Sequence, residues 1–232
     1  TQWATVWDEN SEGKYSIDSI NLKPKLAFIV PELTLTLPDT LTLATGLDAM
    51  SHAIEAYWSK HTTPIVQDLA YRAVELIVKN LRRAIDKPED MKVRERLCRA
   101  SVLAGVAFSH TRTTACHSIS YPLTMLYDVP HGFATAITLD AVGKINRGHF
   151  PNDDELFELF DKERVKTGDG PGILGWIDYV CDGIIDLRLS TFGIQECDIP
   201  NLVDKAFTGG RMDNNPVDLS HEDVERILGG IL

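Results

Sequence analysis

Asp48 and His52 stand four residues apart in TGLDAMSHAIEAY. On a helix that spacing puts both side chains on one face, one above the other. His117, in TACHSISYPL, precedes His131, in YDVPHG, by fourteen residues. A carboxylate with three imidazoles offers the oxygen and nitrogen donors that a divalent transition metal accepts. Such an ion can act as a Lewis acid on an oxygen substrate. Each residue also has a bland reading, because a lone histidine on an apolar helix face is usually a satisfied core residue. His61, His110, His149 and His221 are read in that way. What favours a site is the joint pattern: His117 and His131 are embedded among small or apolar residues, where an unpaired imidazole is costly.

The elements that must position these residues are mostly helices. Two short β-like stretches, 2–7 and 14–17, flank the polar turn DENSEG, and KLAFIVPEL reads as a third strand stopped by Pro31. From about Pro38 helical periodicity takes over. The first helix runs to Tyr57, with Asp39 or Thr42 as its cap. A second starts at Pro64 and runs to about Ile85, and a third follows Pro88, Glu89 and Asp90 to about Phe108. A shorter one spans 113–126. One beginning at Pro130 and His131 continues through GFATAITLDAVGKI. PNDDELFELFDK, GILGWIDYVCDGIIDLRL and SHEDVERILGGI complete the set, the last capped by Ser220 with Asp223. TGDGPG, at 167–172, lacks the spacing of a phosphate-binding loop and reads as a plain loop.

The 232 residues carry 23 basic and 34 acidic side chains, a formal net charge of −11. That balance excludes a general nucleic-acid binder, which needs a basic face. No apolar run reaches the roughly 18 residues of a membrane span. Cys98, Cys116, Cys181 and Cys197 show no CxxC pair or zinc-ribbon spacing. They read as free thiols in a reducing cytoplasm. Cys116 adjoins His117, but adjacent helical residues point apart, so it is not counted as a ligand.

ATGLDAMSHAIEAY, CHSISYPL and DVPHG resemble the iron-containing (group III) alcohol dehydrogenase family. So do AFIVPELTLTLP before the first motif, ASVLAGVAF before the second, and RMDNNPVDLSHEDVERIL at the end. The resemblance covers essentially the whole chain. It implies a mainly α fold: an all-helical, dehydroquinate synthase-like C-terminal domain over 37–232. A few β-strands over 1–36 would be left from a truncated α/β dinucleotide-binding domain. It implies Asp48, His52, His117 and His131 as the four metal ligands, Fe(2+) as the metal with Zn(2+) as substitute, and NAD or NADP as hydride carrier. The activity implied is that of a cytoplasmic oxidoreductase acting on a small alcohol or aldehyde. The helical half in this family commonly contributes to a dimer, so a homo-oligomer is expected.

Thr1 aligns with a threonine near the family's cofactor, and Lys14 with a lysine near its phosphates. No Gly-rich strand-to-helix turn occurs to hold a pyrophosphate. The cofactor domain is therefore expected upstream of Thr1, and this chain is expected to be inactive alone. Tyr121 stands where many members have a further histidine, four residues after the third ligand. A phenol there can donate to the substrate or relay a proton. The RTT…H…SYPLT wording resembles the branch that reduces phosphonoacetaldehyde. It places Arg112, Thr113 and Thr114 near the charge of an anionic aldehyde. Arg112 as an ordinary helix-end cation is the competing reading. The rival functions are a metal hydrolase, a dehydroquinate synthase-like enzyme and a non-catalytic metal-binding relic. The HD-type hydrolases need an adjacent His-Asp pair, and none occurs here.

Overall fold

In the computed structural model, residues 3–8, 13–167 and 172–232 are described. The chain forms two compact units, Thr1–Val30 and Pro31–Leu232. In the first unit, β1 (Trp3–Asp8) and β2 (Gly13–Asp18) pair antiparallel, with Trp3 opposite Asp18 and Asp8 opposite Gly13. A short 3-10 turn at Ile20–Leu22 follows, its start capped by the Ser19 hydroxyl. The third strand expected over KLAFIVPEL does not form. Residues 26–30 carry no ladder, and Pro31–Thr34 is a 3-10 turn. A strand needs a paired edge, and the described sheet holds β1 and β2 alone. The apolar residues that suggested a strand are exposed, Phe28 by 82%.

The second unit is helical. Its centre is α1 (Asp39–Trp58), which buries residues around its whole circumference, among them Leu43, Leu47, Met50, Ile54 and Trp58. A helix apolar on all sides belongs inside a bundle. It packs against α2 (Pro64–Asp86), α3 (Met91–Thr111) and α5 (His131–Ala136). The starts follow local chemistry. Thr63 accepts from the Val66 N–H ahead of Pro64, and Asp90 accepts from Lys92 and Val93, each satisfying amides that a helix start leaves open. The last helix, α10 (His221–Gly230), has the reciprocal Ser220–Asp223 capping box.

Two helices stop earlier than their sequence pattern suggests. The run from His131 breaks after α5, and α6 (Leu139–Asn146) restarts from Thr138. The β-branched residues Thr135, Ile137 and Thr138 favour that break. The run from Gly172 ends at Cys181 as α8, because Gly183 turns left-handed (φ 74°) while the Ile184 and Ile185 amides return to the Cys181 carbonyl. Between them lies α7 (Asp153–Thr167). A further helix unforeseen in the sequence, α9 (Ile199–Lys205), packs on α10 and on α4 (Ala115–Tyr127).

One contact fixes the geometry of the site. A Cβ added to Gly132 would lie 1.8 Å from the Ala44 carbonyl oxygen and 2.6 Å from its carbon. The backbones of α1 and α5 therefore touch, and only glycine permits it. His131, the first residue of α5, is thereby brought beside α1 one turn on from Ala44, at Asp48.

Candidate metal centre

Asp48, His52 and Glu55 lie on one face of α1 at spacings of four and three. His117 is the third residue of α4, just after Thr114 joins it to α3. His131 opens α5. The structure brings the four sequence-selected residues together. The His117 Nε2 is 3.1 Å from the His52 Nε2 and 3.6 Å from Asp48 Oδ1. The His131 Nε2 is 3.8 Å from the same oxygen. Asp48, His52 and His117 place donor atoms within 4.8 Å of one another, and His131 joins through Asp48. Phe108 stacks on His52 at 4.3 Å between ring centres and limits where that ring can turn.

The donor set fits a divalent cation. Asp48 Oδ1 is buried with no hydrogen-bond partner, a costly state for a carboxylate oxygen unless something positive meets it. Ligand atoms bonded at about 2.0–2.2 Å to one tetrahedral ion stand roughly 3.3–3.6 Å apart. The separations here, 3.1 to 3.8 Å, bracket that span.

The electrostatics are those of a crowded acid–imidazole cluster. Burial works against an ionised Asp48, but the His52, His117 and His131 charges outweigh it and hold the carboxyl below its ordinary range. Burial lowers His52, reinforced by the neighbouring His117 charge. Burial also opposes a charged His117, but Glu55 and Asp48 raise it above the usual imidazole value. Two imidazole nitrogens 3.1 Å apart cannot both carry protons comfortably, so the pair divides in opposite directions. Cys116 is buried and free, and burial pushes its thiol well up. Its sulfur is not among the donor atoms gathered with Asp48, His52 and His117.

Around the cluster, the Tyr121 ring lies parallel to His131 at 6.3 Å. Burial raises its phenol, which also faces Arg211 and Thr113. Arg112 closes α3 at φ 62°, ψ −179°, a region nearly reserved for glycine that costs about 1–3 kcal/mol. Its Nη1 lies 3.1 Å from where a Cβ on Gly210 would sit, next to Arg211. Thr114 points the other way. Its hydroxyl donates to Glu55 Oε1 at 2.8 Å and accepts from the Trp58 indole at 2.9 Å. Lys14 lies in β2, but its side chain is outside the described residues, as are Thr1 and most of TGDGPG.

Sequence reading passed over two residues. Glu55 is fully buried against His117, and its signal was the spacing of three after His52. Arg211 reaches the site from a distant turn and has no local signal.

Residues 42–232 match the Fe-containing alcohol dehydrogenase family, C-terminal. Over 236 residues the chain is 30% identical to 1,3-propanediol dehydrogenase of Citrobacter freundii, covering 98% of this chain and 60% of that protein. The whole chain also superposes on two solved structures. One is sulfoacetaldehyde reductase from Bifidobacterium kashiwanohense in complex with NAD+, with TM-score 0.84, 30% identity and 60% of that chain covered. The other is an alcohol dehydrogenase from Oenococcus oeni, with TM-score 0.90, 26% identity and 62% of that chain covered. The chain thus spans about 60% of the length of these relatives. Fold and cluster define a helical domain with one carboxylate and three imidazoles gathered where three helices meet. Within that class, the chain belongs to the iron-containing alcohol dehydrogenase family. No described helix is long and apolar enough to cross a membrane.

Proposed function

We propose that this chain supplies the metal-binding and substrate-binding part of an NAD(P)-linked alcohol dehydrogenase or aldehyde reductase. Asp48, His52, His117 and His131 hold Fe(2+), with Zn(2+) as the alternative occupant. The observation that carries this reading is the buried Asp48 Oδ1, without a hydrogen bond and with imidazole nitrogens at 3.6 and 3.8 Å, in a member of this family. When bound, the ion supplies Lewis-acid polarisation of the alcohol or aldehyde oxygen, and the nicotinamide carries the hydride. The chain's own residues orient the substrate. Tyr121, beside His131, presents a phenol that can donate to the reacting oxygen or pass a proton.

Residues 1–36 belong, on this reading, with a nucleotide-binding domain, with Thr1 and Lys14 facing the cofactor. The 232 residues contain no Gly-rich strand-to-helix turn that could cradle a pyrophosphate, and on this reading they do not turn over alone. The exposed apolar side chains of Ile20, Leu26 and Phe28 agree with a segment that such a nucleotide-binding domain covers, and the homo-oligomer is proposed from the family resemblance.

The substrate we assign is a small anionic aldehyde. Arg112 holds a backbone conformation that disfavours it, and strain of that kind clusters at ligand clamps and active sites. Arg112 and Arg211 flank the Gly210 turn beside Tyr121, and Thr113 faces the same phenol. The likeness to a sulfoacetaldehyde reductase agrees in substrate charge. A hydrogen bond to a charged group contributes about 1.5–3 kcal/mol, roughly 10- to 150-fold. In the cofactor-competent enzyme, Arg112→Gly should therefore lower kcat/KM by that factor for a sulfonate- or phosphonate-bearing aldehyde. The rate with propanal should stay close to wild type. Equal losses on charged and neutral aldehydes would refute the assignment.

A further inference from the structure

We infer that Glu55 is a positioning residue, which fixes the proton of His117 on Nδ1 and so leaves the Nε2 lone pair turned to the Asp48–His52 cluster. The inference rests on the metal-site reading above and deepens it.

Glu55 is fully buried, and no described lysine or arginine pairs with it. A carboxylate so placed needs every lone pair used. Three oxygen and nitrogen donors meet it, and the buried Cys116 thiol lies against it as well. The Thr114 hydroxyl and the His117 backbone N–H reach Oε1 at 2.8 and 3.2 Å, and His117 Nδ1 meets Oε2 in a short contact.

The direction of each hydrogen bond follows from donor chemistry. An indole N–H can only donate, so Thr114 Oγ1 accepts from Trp58. The single Thr114 proton then goes to Glu55. Oε1 is thereby an acceptor from two donors, and Oε2 is the oxygen left for the ring. Against an ionised Oε2, Nδ1 must carry the hydrogen. The neutral ring then has its free lone pair on Nε2, the atom 3.1 Å from His52 and 3.6 Å from Asp48. A metal-facing imidazole is commonly oriented in this way by a carboxylate on its other nitrogen.

Glu55 also has a structural role. Thr114, at the start of α4, makes no capping bond of its own. The Glu55 carboxylate replaces it by accepting the His117 amide from across the bundle. Any test must separate capping from ring orientation. Glu55→Gln does so. A glutamine with its oxygen on Thr114 and the His117 amide keeps the cap. Its NH2 then faces Nδ1, which forces the ring hydrogen onto Nε2. The flipped amide restores Nδ1–H but points NH2 at two donors.

The experiment titrates Co(2+) into the 232-residue chain, following the d–d absorption, with the metal-free Tm measured alongside. Losing an outer-shell partner typically costs 10- to 100-fold in metal affinity. We expect that loss in E55Q, with one-to-one stoichiometry retained and the metal-free Tm close to wild type. In the zinc-loaded wild type, imidazole 15N NMR should find the His117 hydrogen on Nδ1. Unchanged Co(2+) affinity in a folded E55Q overturns the inference while the metal site stands, and a hydrogen on Nε2 overturns it and removes His117 Nε2 from the ligand set as well. If E55Q does not fold, Glu55→Asp is titrated instead. It keeps the charge but withdraws it from Nδ1, and wild-type affinity there would equally overturn the role. A wild-type chain that takes up no Co(2+) would sink the metal-site reading itself.

Discussion

Gly132→Ala should destabilise the helical unit by about 3 kcal/mol or more, at or beyond the upper end of overpacking costs. The new methyl would lie 1.8 Å from a main-chain carbonyl oxygen of α1. No rotamer change can relieve that contact, so α5 must retreat. For a chain of this size, 3 kcal/mol corresponds to a Tm loss of roughly 6–12 °C. The retreat also carries His131, the adjacent residue, away from Asp48, so metal affinity should fall with stability. Gly46→Ala is the contrast. Its Cβ would meet the Leu81 Cδ1 at 2.3 Å, the end of a side chain that can turn aside, and a smaller Tm loss is expected. A wild-type Tm for Gly132→Ala in a thermal melt would show that α1 and α5 do not meet as described.

His117→Ala should have the second large effect, and it should be double. His117 is the hub of the cluster, joined to His52 and Asp48 through Nε2 and to Glu55 through Nδ1. Its loss should weaken metal binding by more than the 10- to 100-fold typical of an outer-shell change. It also strands the Glu55 carboxylate in the interior. Breaking a buried pair by removing one partner typically costs about 3–5 kcal/mol, a loss that should appear in the metal-free protein. His52→Ala separates the two effects. His52 makes no contact with Glu55 closer than a charge interaction, so its removal should cost metal affinity with less loss of stability. Isothermal titration and urea unfolding of both variants check this. A His117→Ala chain that still takes up one metal ion tightly would remove His117 from the ligand set.

Much of this arrangement was legible because it is written locally. The i, i+4 pair Asp48–His52, the caps at Asp90 and Ser220, and Pro64 in its first turn all act within a few residues. What pairs at long range was not. KLAFIVPEL has a strand's composition, but a strand exists only with a partner edge, and none of the described residues supplies one. Glu55 follows His52 by three, the spacing that places it on the same face, yet an acid near a helix end ordinarily reads as a solvated group. Its burial comes from α4 crossing α1, which no local pattern encodes. Arg211 reaches Tyr121 from a turn ninety residues further along the chain. The close approach at Gly132 was likewise silent, because a glycine after Pro-His reads as a loop residue until the neighbouring backbone is seen.

If Asp48, His52, His117 and His131 together hold one metal ion, X-ray absorption at the zinc edge of the zinc-loaded chain should find a first shell of oxygen and nitrogen alone, at about 2.0–2.2 Å. Outer-shell scattering should come from three imidazole rings and drop to two in His131→Ala. A sulfur scatterer at about 2.3 Å, or an imidazole count that His131→Ala leaves unchanged, would contradict that ligand set.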